Sequence, residues 1–271
     1  MKQVKFLMLA LVVLMGVGFT SCMKGENDTT VRDGGVVKVQ SSLGAYWFET
    51  INGVKLYPSA TSLAAMKAAT GFEMEKVNMA YIVYQYDSAT QSSTDGLQLL
   101  YAMGLDATVE SVAKEEAGER PSNDSIAKAP IRSLEGTIAL SGGGRVEYKP
   151  VMFDESTLLL QIDYFMGSDG LLSHYFTLVH YPNEPVEENT IKLYLRHNNG
   201  KDTSTSYTSV NFSGNYPFVF YKAFNLNKLN VRINENTKII VEAQENNVNL
   251  DLEDKDNTKT KTYTVQIKAK E

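Results

Sequence analysis

The chain has 271 residues, with 26 lysines and arginines against 32 aspartates and glutamates, a formal charge of −6. That acidic balance, with no clustered basic stripe, repels phosphate backbones and excludes nucleic acid as a partner. The single cysteine, Cys22, leaves the folded part without a disulfide, a thiolate nucleophile or a cysteine metal site.

Lys2 and Lys5 give the N-terminus a basic start, an apolar run from Phe6 follows, and Thr20-Ser21 put small residues ahead of Cys22. This is the pattern of a secretory signal ending in a lipobox. As a membrane helix the run is too short: about fourteen apolar residues at ~1.5 Å rise span roughly 21 Å, against a ~30 Å hydrocarbon core. Cleavage before Cys22 leaves 250 residues of formal charge −8 and makes the cysteine sulfur the site of lipid attachment. The expectation is an exported protein held to a membrane through its N-terminal lipid, at the outer membrane with either face open. Residues 1–21 are the signal peptide. Residues 22–33, polar and without apolar period, read as a flexible tether.

Three short β runs follow, at Val36–Ser41, Ala45–Ile51 and Val54–Tyr57. Asn52-Gly53 between the last two is a strong hairpin signal. Ser59–Ala69 is alanine-rich, with Leu63 and Met66 on one side and Gly71 beyond its end, and predicts a helix. Asn78–Asp87 returns to strand, with Ala80, Ile82, Tyr84 and Tyr86 on one face, and Leu97–Leu105 is a further apolar run. Three strands, a helix and two strands is the order of a small OB-like barrel, expected over residues 34–120. Thr108–Glu116 predicts a short helix. Periodicity is lost from Glu119 to Pro130, which marks a domain boundary.

Residues 121–271 are β throughout. Leu158, Leu160, Ile162, Tyr164 and Met166 alternate along one run, Ile191, Leu193 and Leu195 along another, and Tyr263, Val265 and Ile267 along a third. Short strands with one apolar face each call for a second sheet to cover them, and an antiparallel β-sandwich is the simplest solution. The expected fold class is mainly β: an OB-like barrel with one helix, followed by a β-sandwich.

The run HYFTLVHYPNEPVEENTIKLYLRHNNGKD, with His174-Tyr175, Leu178-Val179, Leu193 to Asn198 and Asp202, resembles the NigD-like lipoproteins of Gram-negative bacteria. Asn123-Asp124 before Ile126 and the Gly53-Val54-Lys55-Leu56 turn resemble further positions of that family. The resemblance implies an OB-like domain plus a β-sandwich, a cell-envelope location and an immunity-type role by association. It implies no chemistry, cofactor or ligand.

Candidate chemistry is sparse. His174 and His180 lie six residues apart on one strand, roughly 20 Å at ~3.3 Å per residue, too far to share a metal ion. His197 ends another strand and can approach either. The expectation is that His174, His180 and His197 close apolar faces and bond loop carbonyls, with Arg196 a further latch through its fork of donors. No metal or cofactor is expected.

Ser111-x-x-Lys114 and Ser125-x-x-Lys128 match a Ser/Lys acyl-transfer spacing but lack its Lys-Thr-Gly element. Ser141-Gly142-Gly143-Gly144 lacks the ending of a phosphate loop and reads as a hairpin turn. Asp251, Glu253, Asp254 and Asp256 do not fit a calcium loop and read as a solvated turn. In Tyr46-Trp47-Phe48 one face is core and the other offers ring surface to a sugar or a partner. No catalytic residue is assigned. The functions weighed are a non-catalytic envelope lipoprotein binding a protein or glycan, a carbohydrate-binding lipoprotein, and a hydrolase of unrecognised type.

Overall fold

The computed structural model describes residues 29–113, 127–139, 144–167, 173–200, 202, 207–210 and 220–267. The signal run, Cys22, Asn123-Asp124, Lys114, Ser125 and residues 141–143 lie outside them. The chain divides into two compact units, Met1–Asp106 with Ala139–Val146, and Ala107–Ile138 with Glu147–Glu271.

The first unit is a closed barrel. Its strands are β1 (Thr30–Ser42), β2 (Ala45–Glu49), β3 (Lys55–Pro58), β4 (Met79–Asp87) and β5 (Asp95–Gly104), in the order β1-β2-β3-β5-β4, with β1 also paired to β4. The helix α1 (Ala60–Thr70) stands between β3 and β4, as the OB-like expectation requires. Its ends are set by local chemistry. The Ser59 side chain accepts from Ser62 N–H, and Gly71 takes a left-handed conformation at φ 73° while its N–H donates to the Lys67 carbonyl. The hairpin at Asn52-Gly53 has Gly53 at φ 76°, and Thr50 N–H donates to the Val54 carbonyl at 3.0 Å. Ala80, Ile82 and Tyr84 share the interior with Val37, Phe48, Leu56, Leu97 and Leu99, and Leu63 and Met66 of α1 pack against them.

One expectation fails here. The expected tether runs to Asp33, yet Thr30–Asp33 belongs to β1, with Thr30 paired to Asp87 and Asp33 to Tyr84. A ladder is built from backbone groups and forms through a polar stretch when its partner strand continues alongside.

The second unit carries an eight-stranded sheet. Separately, β7 (Gly136–Ala139) and β8 (Arg145–Tyr148) form a two-stranded ribbon. The sheet uses β6 (Asp106–Ser111), β9 (Val151–Met152), β10 (Thr157–Gln161), β12 (Tyr175–His180), β13 (Thr190–Asn198), β15 (Tyr221–Asn225), β16 (Lys238–Glu245) and β17 (Lys259–Gln266). Their order is β17-β16-β13-β12-β6-β15-β10-β9, and β11 (Tyr164–Gly167) pairs with β14 (Tyr207–Val210) separately. The chain is mainly β, as expected. Most pairs are antiparallel, but β6–β12 and β13–β16 are parallel.

Two local readings are corrected. The segment from Thr108 is strand, not helix: Thr108 to Ser111 pair with Thr177 to His180, a long-range ladder that overrides a helix-compatible composition. The alternating run from Leu158 to Met166 is two strands, and all five residues of β10 are buried. Strands covered on both faces lose the one-sided pattern. Among the described residues no helix is long and apolar enough to cross a membrane.

Candidate functional site

The end of β13 and the start of β12 meet in the second unit through the pairing Phe176↔His197. His197, the last ring of the alternating run in β13, therefore turns inward beside Phe176, the two rings stacked at 4.7 Å and 10°. His174, just before β12, reaches the same place. Nδ1 of His174 lies 2.8 Å from Nε2 of His197, and Nε2 of His174 lies 2.9 Å from Oδ2 of Asp202. Nδ1 of His197 lies 2.9 Å from the Pro130 carbonyl oxygen, and Gly167 N–H donates to Asp202 Oδ2 at 2.7 Å. Tyr164 packs on both rings, at 5.0 Å from His174 and 5.4 Å from His197.

This relay is internal: His174 is 8%, His197 2% and Asp202 4% exposed. Burial holds His197 far below the usual imidazole range, at about 3, helped by the neighbouring ring of His174. Burial also pushes His174 down, against the hydrogen bond and charge of Asp202. Lys222 adds to that push; burial brings its own amine down to about 8, and it stands 5.9 Å from the Phe176 ring.

Proton counting defines what the relay can do. The Pro130 carbonyl only accepts, so His197 Nδ1 donates and its Nε2 must accept from His174. Two neutral rings then bring two protons to three contacts. A third proton has its place at His174 Nε2, facing the Asp202 carboxylate, and the burial that pushes both rings down leaves its uptake to acid pH. Among the described residues no hydroxyl or thiol bonds either ring. No cluster of three or more His, Cys, Asp or Glu suited to a metal ion occurs among the described residues.

The other singled-out residues are not brought to this place. His180 Nδ1 lies 3.3 Å from Ser111 Oγ at the parallel β6–β12 pair, and burial pushes its ring down. Arg196 lies with its guanidinium 5.0 Å from the Tyr194 ring. All three histidines are expected to bond loop carbonyls, and His197 alone does so through its ring. His174 bonds a second histidine and a carboxylate instead. The Asp251–Asp256 segment is a turn organised on Asp254, which accepts from Asn249 and Asn257 side chains and is held at about 2 by those bonds.

Trp47 belongs to the barrel. Phe48 and Leu56 face inward as a cross-strand pair, so Trp47 and Tyr57 face outward together, ring centroids 6.4 Å apart. Lys55 Nζ stands 4.9 Å from the Trp47 ring. Tyr46 is 40% and Tyr57 38% exposed, whereas the indole Nε1 is buried with no hydrogen-bond partner. Asp202, Tyr164 and the Pro130 carbonyl were missed as members of the relay, because no local spacing announces a contact between a loop carbonyl, two strand ends and a turn.

The sequence matches no family model and no curated protein. Solved structures do match. A lipoprotein-named protein from Bacteroides fragilis is similar at 26% identity, with a TM-score of 0.65, covering 89% of this chain and 100% of that one. A NigD-like immunity protein from Bacteroides caccae matches at 14% identity and a TM-score of 0.46, covering 85% of this chain and 91% of that one. A protein of unknown function from Bacteroides vulgatus matches at 13% identity and a TM-score of 0.49, covering 88% and 92%. The chain shares the fold of the Bacteroides fragilis protein; its resemblance to the NigD-like lipoproteins is carried by the residues from Ser173 to Asp202.

Proposed function

We propose that the protein is an exported, lipid-anchored envelope protein that binds a partner without catalysis, Cys22 carrying the lipid. The observation that carries this reading is the contrast between the two units. The chemistry-bearing side chains of the second are turned into its core and satisfy one another, while the barrel presents aromatic surface outward. The lipobox and the name of the Bacteroides fragilis protein support the anchor. The immunity-type role implied by the resemblance fits a binding protein. The outer membrane is the membrane expected.

Fatty-acid labelling in growing cells tests the anchor: label on the protein, lost with Cys22→Ala together with release into the soluble fraction. An unlabelled protein, or a Cys22→Ala variant still sedimenting with membranes, overturns it. Crosslinking in intact cells followed by identification of the captured molecule tests the binding role.

A carbohydrate partner is the second reading, favoured by the outward Trp47–Tyr57 pair with Lys55 beside it. A glycan array with Trp47→Ala as control separates it from a protein partner. Binding lost in the variant supports a sugar platform; an array silent for the parent protein removes it.

A further inference from the structure

β1 passes one mouth of the barrel with Asp33, Gly35 and Val37 in the inward-facing row. Gly35 contributes no side chain, and the mouth holds a cavity of about 360 Å³. Leu56 and Ile82 give it an apolar wall, and Tyr84 and Tyr86 add ring surface. Among the described residues Asp33 is the only charged side chain that lines it. Its carboxylate accepts from Gly34 N–H at 2.7 Å and from the Tyr84 hydroxyl at 3.2 Å, and no described lysine or arginine pairs with it. An ionised carboxylate offers about four acceptor sites, so capacity remains after these two bonds. Burial pushes the Asp33 pKa up, against the bonds from Gly34 N–H and the Tyr84 hydroxyl.

We propose that this cavity binds a small organic primary amine, with its ammonium on the Asp33 carboxylate and its apolar body against Leu56 and Ile82. A volume near the lower end of ordinary ligand pockets, about 300–1,000 Å³, suits a molecule of modest size. A neutral ligand leaves the carboxylate uncompensated, and an anion is repelled by it. This site lies inside the barrel, apart from the outward Trp47 face.

Calorimetric titration of the purified protein with phenethylamine and with its neutral counterpart, phenethyl alcohol, tests the assignment. Saturable one-to-one binding of the amine is expected, at least about tenfold tighter than the alcohol, as a charge-assisted bond requires. Asp33→Asn should bring the two affinities together. Ser93→Lys, a substitution at an exposed lining position, places a cation at the rim without touching the core and should weaken the amine alone; it carries the test if Asp33→Asn does not fold. Equal affinity for amine and alcohol, no saturable amine binding, or amine binding unchanged by Ser93→Lys overturns the proposal.

Discussion

Nδ1 of His174 and Nε2 of His197 face each other across 2.8 Å in the interior of the second unit, so a single proton serves both rings. Neither histidine can titrate independently of the other. Each is also tied to a fixed acceptor, the Asp202 carboxylate on one side and the Pro130 carbonyl on the other. The arrangement joins the end of β13, the approach to β12, the turn at Asp202 and the segment before Ile131.

Acid should therefore destabilise the second unit through its histidines. In the unfolded chain an imidazole takes up its proton near pH 6.5. In the folded chain His197 does so only near 3, and His174 is also held below its ordinary value. Between those limits the unfolded state binds more protons, so stability is full above about pH 6.5 and falls as the pH drops toward 3. Each full proton difference costs about 1.4 kcal/mol per pH unit. Denaturant unfolding at a series of pH values should show this decline, and His197→Gln should flatten it. A parent protein equally stable at pH 7 and pH 4 contradicts the prediction.

Asp202 should be sensitive to loss of charge even where shape is kept. One oxygen, Oδ2, takes both Gly167 N–H and His174 Nε2. Asp202→Asn retains an acceptor there but removes the charge that favours an imidazolium. The His174 resonance should then titrate at lower pH than in the parent, read by NMR of the ring nitrogens. Asp202→Ala leaves Gly167 N–H and the His174 ring without their acceptor, and should cost about 3 kcal/mol or more.

Gly34→Ala should unsettle the barrel. A Cβ built on Gly34 runs into the Ile82 carbonyl oxygen, a backbone atom that cannot move without shifting β4. The φ of Gly34 is not in the left-handed region, so the cause is close approach of β1 to β4 rather than backbone strain. Crowding of this kind costs about 1–3 kcal/mol. Trp47 is the only tryptophan and sits on β2, so its fluorescence reports the barrel's unfolding midpoint, which should fall in the variant.

Much of the barrel was legible because its signals are local. Asn52-Gly53, the Ser59 cap and Gly71 each do their work within a few residues, and the face shared by Ala80, Ile82 and Tyr84 follows from strand alternation. What escaped depends on partners far along the chain. Thr108–Ser111 becomes strand because β12 lies beside it, and Asp33 turns from tether into barrel wall because Tyr84 stands opposite. The relay needs His174, His197, Asp202 and Pro130 at once, and no spacing in the sequence announces that meeting.

Tyr263 illustrates a polar clasp whose loss should be felt although no apolar volume changes. Its hydroxyl accepts from Leu134 N–H at 3.2 Å and donates to Glu245 in a short contact. Tyr263 and Glu245 are both buried, and burial pushes the Glu245 carboxyl up while the Tyr263 bond and the Lys261 charge pull it down. Tyr263→Phe keeps the ring but takes the hydroxyl acceptor from Leu134 N–H and one donor from the Glu245 carboxylate, which retains Lys261 at 3.9 Å. An unsatisfied buried polar group costs about 1–3 kcal/mol, more when charged. The carboxyl answers in the one way open to it, by holding its proton to higher pH. The variant should thus be less stable than the parent by about 2 kcal/mol at pH 7, and the gap should be smaller at an acidic pH, where Glu245 becomes neutral. Unfolding curves at the two pH values check both statements, and a gap that widens on acidification would show that Glu245 is not the group left uncompensated.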